Sequence, residues 1–166
     1  IFDPIENAVG RAVDKVLATI GSKRIFCNYR EDQTGPEYLR QHAKTAGAFQ
    51  KLGDEQKGHD ILIVPCQFGL RHRGRSVRRT REVFQANEFG LGAFGVGIML
   101  LTHPEREIQR EHLHVDCAGD EFSPDADGQF ARAPIFGFSD GRVGFHTYWV
   151  GGAGGDYGSA SGFLPQ

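Results

Sequence analysis

Ile135-Phe136-Gly137-Phe138-Ser139-Asp140-Gly141-Arg142 reads as the tip of a β-hairpin. A two-residue hairpin loop of the favoured hand needs positive φ at both central residues, and Asp-Gly supplies that at little steric cost. The arms extend from Ile135 to Phe138 and from Arg142 to Val150, so the last third of the chain is expected to contribute antiparallel strands.

Upstream, Glu111 to Cys117 alternates. Leu113, Val115 and Cys117 point one way, and His112, His114 and Asp116 the other, which predicts a half-buried strand. Phe94, Val96, Ile98 and Leu100 alternate with Gly95, Gly97, Met99 and Leu101, which suits a buried strand over 93–102. Residues 60–68, around Ile61-Leu62-Ile63-Val64, form an apolar run like a strand covered on both faces, with Pro65 marking its end or an edge.

Three helices are predicted. Asp3, Pro4 and Glu6 form an N-terminal signature before apolar residues at helical period, giving a helix over 4–20 that Gly21 stops. Thr34 with Glu37 opens a second helix over 35–52. Residues 75–88 fit a third, with Val77, Thr80, Val83 and Phe84 on one face and Arg75, Arg78, Arg79 and Arg81 expected on the other. Between the first two helices, Arg24 to Tyr29 reads as a short strand, and the glycine-rich tail Gly151 to Gly162 as loop. Strand and helix alternate through the middle, implying parallel crossovers, before the antiparallel hairpin. The expected fold is one α/β or α+β domain over 1–166: three helices on a mixed sheet of about five to six strands.

With 39% apolar and 24% charged residues, neither a disordered chain nor a membrane span is indicated. No membrane partner is expected, no charged and apolar leader opens the sequence, and three widely spaced cysteines argue against a disulfide framework. A cytoplasmic setting is the expectation.

The formal net charge of −2 hides a polarity. Arg71, Arg73, Arg75, Arg78, Arg79 and Arg81 stand within eleven residues that hold no acid. Residues 111–166 carry eight acids against Arg132 and Arg142. Guanidinium forks match phosphate oxygens, and a helix start after a sheet strand favours an anion. The leading expectation is a binding domain rather than an enzyme. It would present these six arginines to a polyanion or phosphorylated ligand, nucleic acid among them, and use no cofactor.

Two other readings stay open. His112, His114 and Asp116 share one strand face and are candidate ligands for a divalent metal, as in a small metal-dependent hydrolase. The run resembles the first half of the metallo-β-lactamase-type motif, with Cys117 where a histidine would follow. Alternatively the basic helix docks on the acidic surface of a second copy, making a homo-oligomeric structural subunit.

Other patterns fall short. Cys66 to Arg71 resembles the thiol-nucleophile phosphatase loop but is one residue short. Gly90-Leu91-Gly92-Ala93-Phe94-Gly95 spells a dinucleotide fingerprint, yet is expected to follow a helix and enter a strand, the reverse of what pyrophosphate binding needs. Asp125-x-Asp127 lacks the closing acid of a calcium loop, and Gly158 to Gly162 has alanine where a hydrolase elbow needs its serine.

Overall fold

A computed structural model describes residues 8–165. The hairpin forms as its turn dictates. Strands β7 (Arg132–Ser139) and β8 (Arg142–Trp149) pair antiparallel with Ser139 opposite Arg142, and Asp140 and Gly141 take φ of 51° and 76°. The large sheet grows outward from this pair. On one side β1 (Phe26–Asn28) lies parallel to β8. On the other, β5 (His114–Asp116) runs antiparallel to β7, and β9 (Tyr157–Ser159) lies parallel to β5. At the far end of β7, β6 (Asp120–Phe122) pairs with β7 and with β2 (Leu39–Gln41), completing a seven-stranded mixed sheet. A second sheet of three antiparallel strands has β10 (Ser161–Phe163) between β3 (Cys66–Gln67) and β4 (Glu88–Gly90).

Among the described residues four α-helices complete an α+β architecture: α1 (Ala8–Lys23), α2 (Ala43–Glu55), α3 (Val77–Val83) and α4 (Ala93–Thr102). Val115, Phe136, Val143 and Phe145 line the inner face of the large sheet and join one core with Val13, Val16 and Ile20 of α1 and Val96 and Leu100 of α4. Each side chain of this size, fully buried, contributes roughly 1.5–3 kcal/mol.

Several expectations are corrected. Helix α1 passes through Gly21 to Lys23; its expected Asp3-Pro4 start lies outside the described residues. The second helix begins eight residues later than its capping signature suggested. Leu39–Gln41 is drawn into pairing with β6, and His42 caps α2 by accepting the Lys44 amide at 3.3 Å. Pairing with a distant strand outweighs a local propensity here.

Residues 60–65 are not a buried strand: Ile61 and Ile63 are 78% and 79% exposed, and only Cys66–Gln67 pairs. The Gln56 side chain engages the backbone of Ile63 at 2.8 and 2.9 Å, taking the bonds a neighbouring strand would have made. Strands β3 and β4 each run antiparallel to β10 between them, so they point the same way and the segment through α3 is a crossover connection, although the two strands do not pair directly.

The third helix covers Val77–Val83 alone, after a 3-10 turn at Leu70–His72. Residues 93–102 form helix α4, not a strand. A side chain on Gly97 would collide with Val16, so the glycine that weakens helix propensity is what lets α4 close onto α1.

Candidate functional site

The basic turn is assembled on a buried polar knot. Gly69, at φ 106°, packs against the backbone of Gly158 so closely that no side chain fits. Gln67 fixes the turn: its Oε1 accepts from Gly69 N at 2.6 Å, and its Nε2 donates to Ser159 O at 2.9 Å and Ser161 Oγ at 2.8 Å. His72 (2% exposed) is thereby swung inward, with Nε2 2.7 Å from Oε1 of the fully buried Glu88. Ser161 Oγ donates to the same oxygen at 2.7 Å. Arg75 Nη1 lies 3.1 Å from His72 Nδ1. Arginine has no acceptor, so Nδ1 takes that bond and the imidazole proton sits on Nε2, facing Glu88. Burial pushes the Glu88 carboxyl up, but the bonds from His72, Ser161 and the Gln85 amide outweigh it and hold the group below its ordinary value.

Five of the six arginines stay on the surface. Arg71 is anchored through Nε, 3.3 Å from Glu88, and Arg73 through Nε to Gly155 O at 2.7 Å. Arg79 pairs with Glu82 at 2.9 Å. Arg78 makes no side-chain hydrogen bond to described residues and lies 6.0 Å over the Trp149 ring. Arg81 departs from expectation. It stands four residues after Val77, hence on the same helical face, and turns inward to donate to Ala118 O at 2.9 Å and Asp120 O at 2.7 Å. Burial lowers its pKa, opposed by Glu121 and Asp120.

Hydrogen bonding to a carbonyl satisfies a guanidinium without neutralising it. Among the described residues, only Arg71 and Arg79 of the six form ion pairs, both with acids from the middle of the chain. Acids of the last third, Glu121 and Asp120, act on Arg81. The short helix α3 supplies no anion seat of its own, since Ser76 Oγ already accepts from Arg79 N at 3.2 Å. The positive character of this surface comes from its side chains.

The three metal-ligand candidates are not brought together. His112 precedes β5, its Nδ1 3.4 Å from the Ile108 amide. His114 and Asp116 share one strand face, but among the described residues no three His, Cys, Asp or Glu side chains converge to hold a metal ion. Cys66 donates to Val64 O at 3.2 Å and burial raises its pKa, which opposes a thiolate nucleophile.

The glycine fingerprint sits in a context opposite to the expected one, after strand β4 and ahead of helix α4. The seat at that helix start is filled from within. The buried Asp120 carboxylate accepts from Ala93 N at 2.6 Å and occupies the space a side chain on Gly92 would take. A second anion has no place there.

One cluster was not foreseen as a unit, although His114 within it was a metal-ligand candidate. The two-residue turn sets Gly137 opposite Gly144. The missing side chains make room for two imidazoles: His114 lies where a Gly137 Cβ would be, and His146 approaches the same point on Gly144 to 3.2 Å. His146 stacks on Tyr29 with ring centroids 3.7 Å apart. Tyr157 packs against His114 at 4.9 Å and against Tyr148 at 5.3 Å. Between them is a cleft of about 260 Å³. Burial, then Arg30 and His114, lower the His146 pKa, and Asp156 reaches to 3.9 Å from His114 Nε2.

Helix α3 and this cleft share the outer face of the large sheet. Val77 packs on Ala118, Ala133 and Val150, and Val150 lies on the same side of the chain as Tyr148 and His146. Elsewhere, Phe49, Leu62, Phe68, Phe94 and Ile98 line an apolar groove of about 1110 Å³. Set beside known proteins, the chain matches no family model, no curated sequence and no solved structure.

Proposed function

We propose that this protein is a binding domain whose arginine surface takes a phosphorylated ligand, single-stranded nucleic acid being the polyanion that suits it best. The observation that carries the reading is the way Arg71 and Arg73 are held. Each is held through Nε on an exposed side chain, and its terminal nitrogens have no hydrogen-bond partner among the described residues, so they remain available to phosphate oxygens. Arg78 adds a third cation beside the exposed Trp149, so guanidinium and aromatic ring are offered together. Combined charge and stacking is how sequence-tolerant recognition of single strands works.

The test is a titration of a fluorescein-labelled single-stranded oligonucleotide at several salt concentrations. Each lost phosphate contact lowers the logarithmic salt slope by roughly 0.7 on single strands. Replacing Arg73 and Arg78 together by alanine is expected to weaken binding and reduce the slope by about 1.4. An unchanged slope would remove the reading.

A further inference from the structure

We infer that the cleft between His114 and His146 seats a planar nitrogen heterocycle, the base of a nucleotide whose phosphate the arginine surface holds. The inference rests on the phosphate reading above and deepens it. Four observations support it. Four rings line the cleft, His114, His146, Tyr148 and Tyr157, beside the smaller Ile135, Ser139 and Thr147; Tyr29 stacks on His146 from outside the lining, and Tyr148 is 46% exposed. Such walls favour a flat π-face over a branched or saturated body.

The rim is polar in both senses. Imidazole nitrogens and tyrosine hydroxyls supply donors and acceptors together, matching the mixed edge of a nucleobase and penalising a bare hydrocarbon. The volume, about 260 Å³, falls just below the ~300–1,000 Å³ of typical ligand pockets, which suits one ring system and excludes an extended molecule. Position completes the case. Arg73 bonds Gly155, two residues before Tyr157, and Gly74 N donates to Tyr157 O at 2.9 Å, so the basic turn and the cleft wall are fastened together. Arg30, close enough to His146 to lower its pKa, disfavours the other ligand that aromatic walls attract, a quaternary ammonium.

The experiment compares uridine 5′-monophosphate, adenosine 5′-monophosphate and ribose 5-phosphate by calorimetry, with tetramethylammonium as a fourth probe. At least one nucleotide is expected to bind about tenfold tighter than ribose 5-phosphate. Tyr148→Ala should abolish that preference and leave ribose 5-phosphate unaffected. Tyr148 is half exposed, so this variant tests the cleft with little risk to folding, and His146→Ala provides the matching change on the opposite wall. Equal affinity for nucleotide and sugar phosphate overturns the base seat but leaves the arginine surface standing. Binding of neither phosphate overturns both. Tetramethylammonium binding without nucleotide binding makes the cleft a cation cage and defeats the inference, as does a base preference that survives Tyr148→Ala.

Discussion

The two faces of the β5–β7–β8 sheet follow different rules. On the inner face Val115, Phe136, Val143 and Phe145 are at most 2% exposed and join an apolar core with side chains of α1, α2, α4 and neighbouring strands. On the outer face the same strands present His114, Gly137, Gly144, His146 and Tyr148, which helix α3 leaves partly uncovered. Strand alternation makes both faces from one sequence, but packing density is spent on only one. The lesson is a division of labour: the inner face fixes where the strands lie, and that rigidity frees the outer face for groups that contribute little to folding.

The comparison breaks most visibly on the inner face. Phe136 is fully buried, and Phe136→Ala is expected to cost about 3–5 kcal/mol through lost burial and an unfilled cavity. Urea denaturation measures it. A loss below about 1 kcal/mol would mean that the sheet is not held from this side.

Buried acids give an intermediate effect with a definite sign. Burial raises Asp116 and Asp120 to about 7 and Glu107 to about 8. In each case the folded protein keeps a proton that the unfolded chain has already released. Stability from these groups is therefore greatest in mild acid and falls as pH climbs from about 4 towards 8. Glu88 acts oppositely: its carboxyl is held below its ordinary value, so its contribution is present above about 4.5 and is lost as pH falls through the folded pKa. The denaturation midpoint should peak near pH 5 and decline on both sides. Asp120→Asn keeps an oxygen acceptor for the Ala93 amide and removes the buried charge, so it should flatten the alkaline limb. A midpoint that rises steadily from pH 5 to pH 8 would contradict this assignment.

Legibility in the sequence tracked the range of the determining contacts. The hairpin was readable because Asp140-Gly141 sets its own geometry, and that turn also determines the Gly137–Gly144 pairing on which the cleft depends. The alternation of Gly144, His146 and Tyr148 on one strand face was equally available as a signal. The remaining rings were not: Tyr29, stacked on His146, arrives through a parallel pairing of β1 with β8, and Tyr157 through a parallel pairing of β9 with β5. Both require contacts far apart in sequence. Helix α4 is apolar almost all round, so periodicity could not separate helix from strand, and the fit of Gly97 against Val16 decided it. For Arg81 the i+4 spacing from Val77 was visible, but its partners are backbone carbonyls that no residue type advertises.

The smallest effect on stability carries the sharpest contrast. Arg73 and Arg78 lie on the surface, and neither forms an ion pair with a described residue. Replacing both by alanine is expected to change stability by no more than about 0.5 kcal/mol, the usual range for surface positions. The same double variant is the one expected to flatten the salt dependence of oligonucleotide binding. Phe136→Ala should behave in reverse under strongly folding conditions: a lower denaturation midpoint with an unaltered salt slope, because the anchors of Arg71 and Arg73 are Glu88 and Gly155, far along the chain from that cavity. If the arginine variant instead lowers stability by about 2 kcal/mol or more, these side chains hold the fold together, and the outer face is not the free surface that the contrast between the two faces requires.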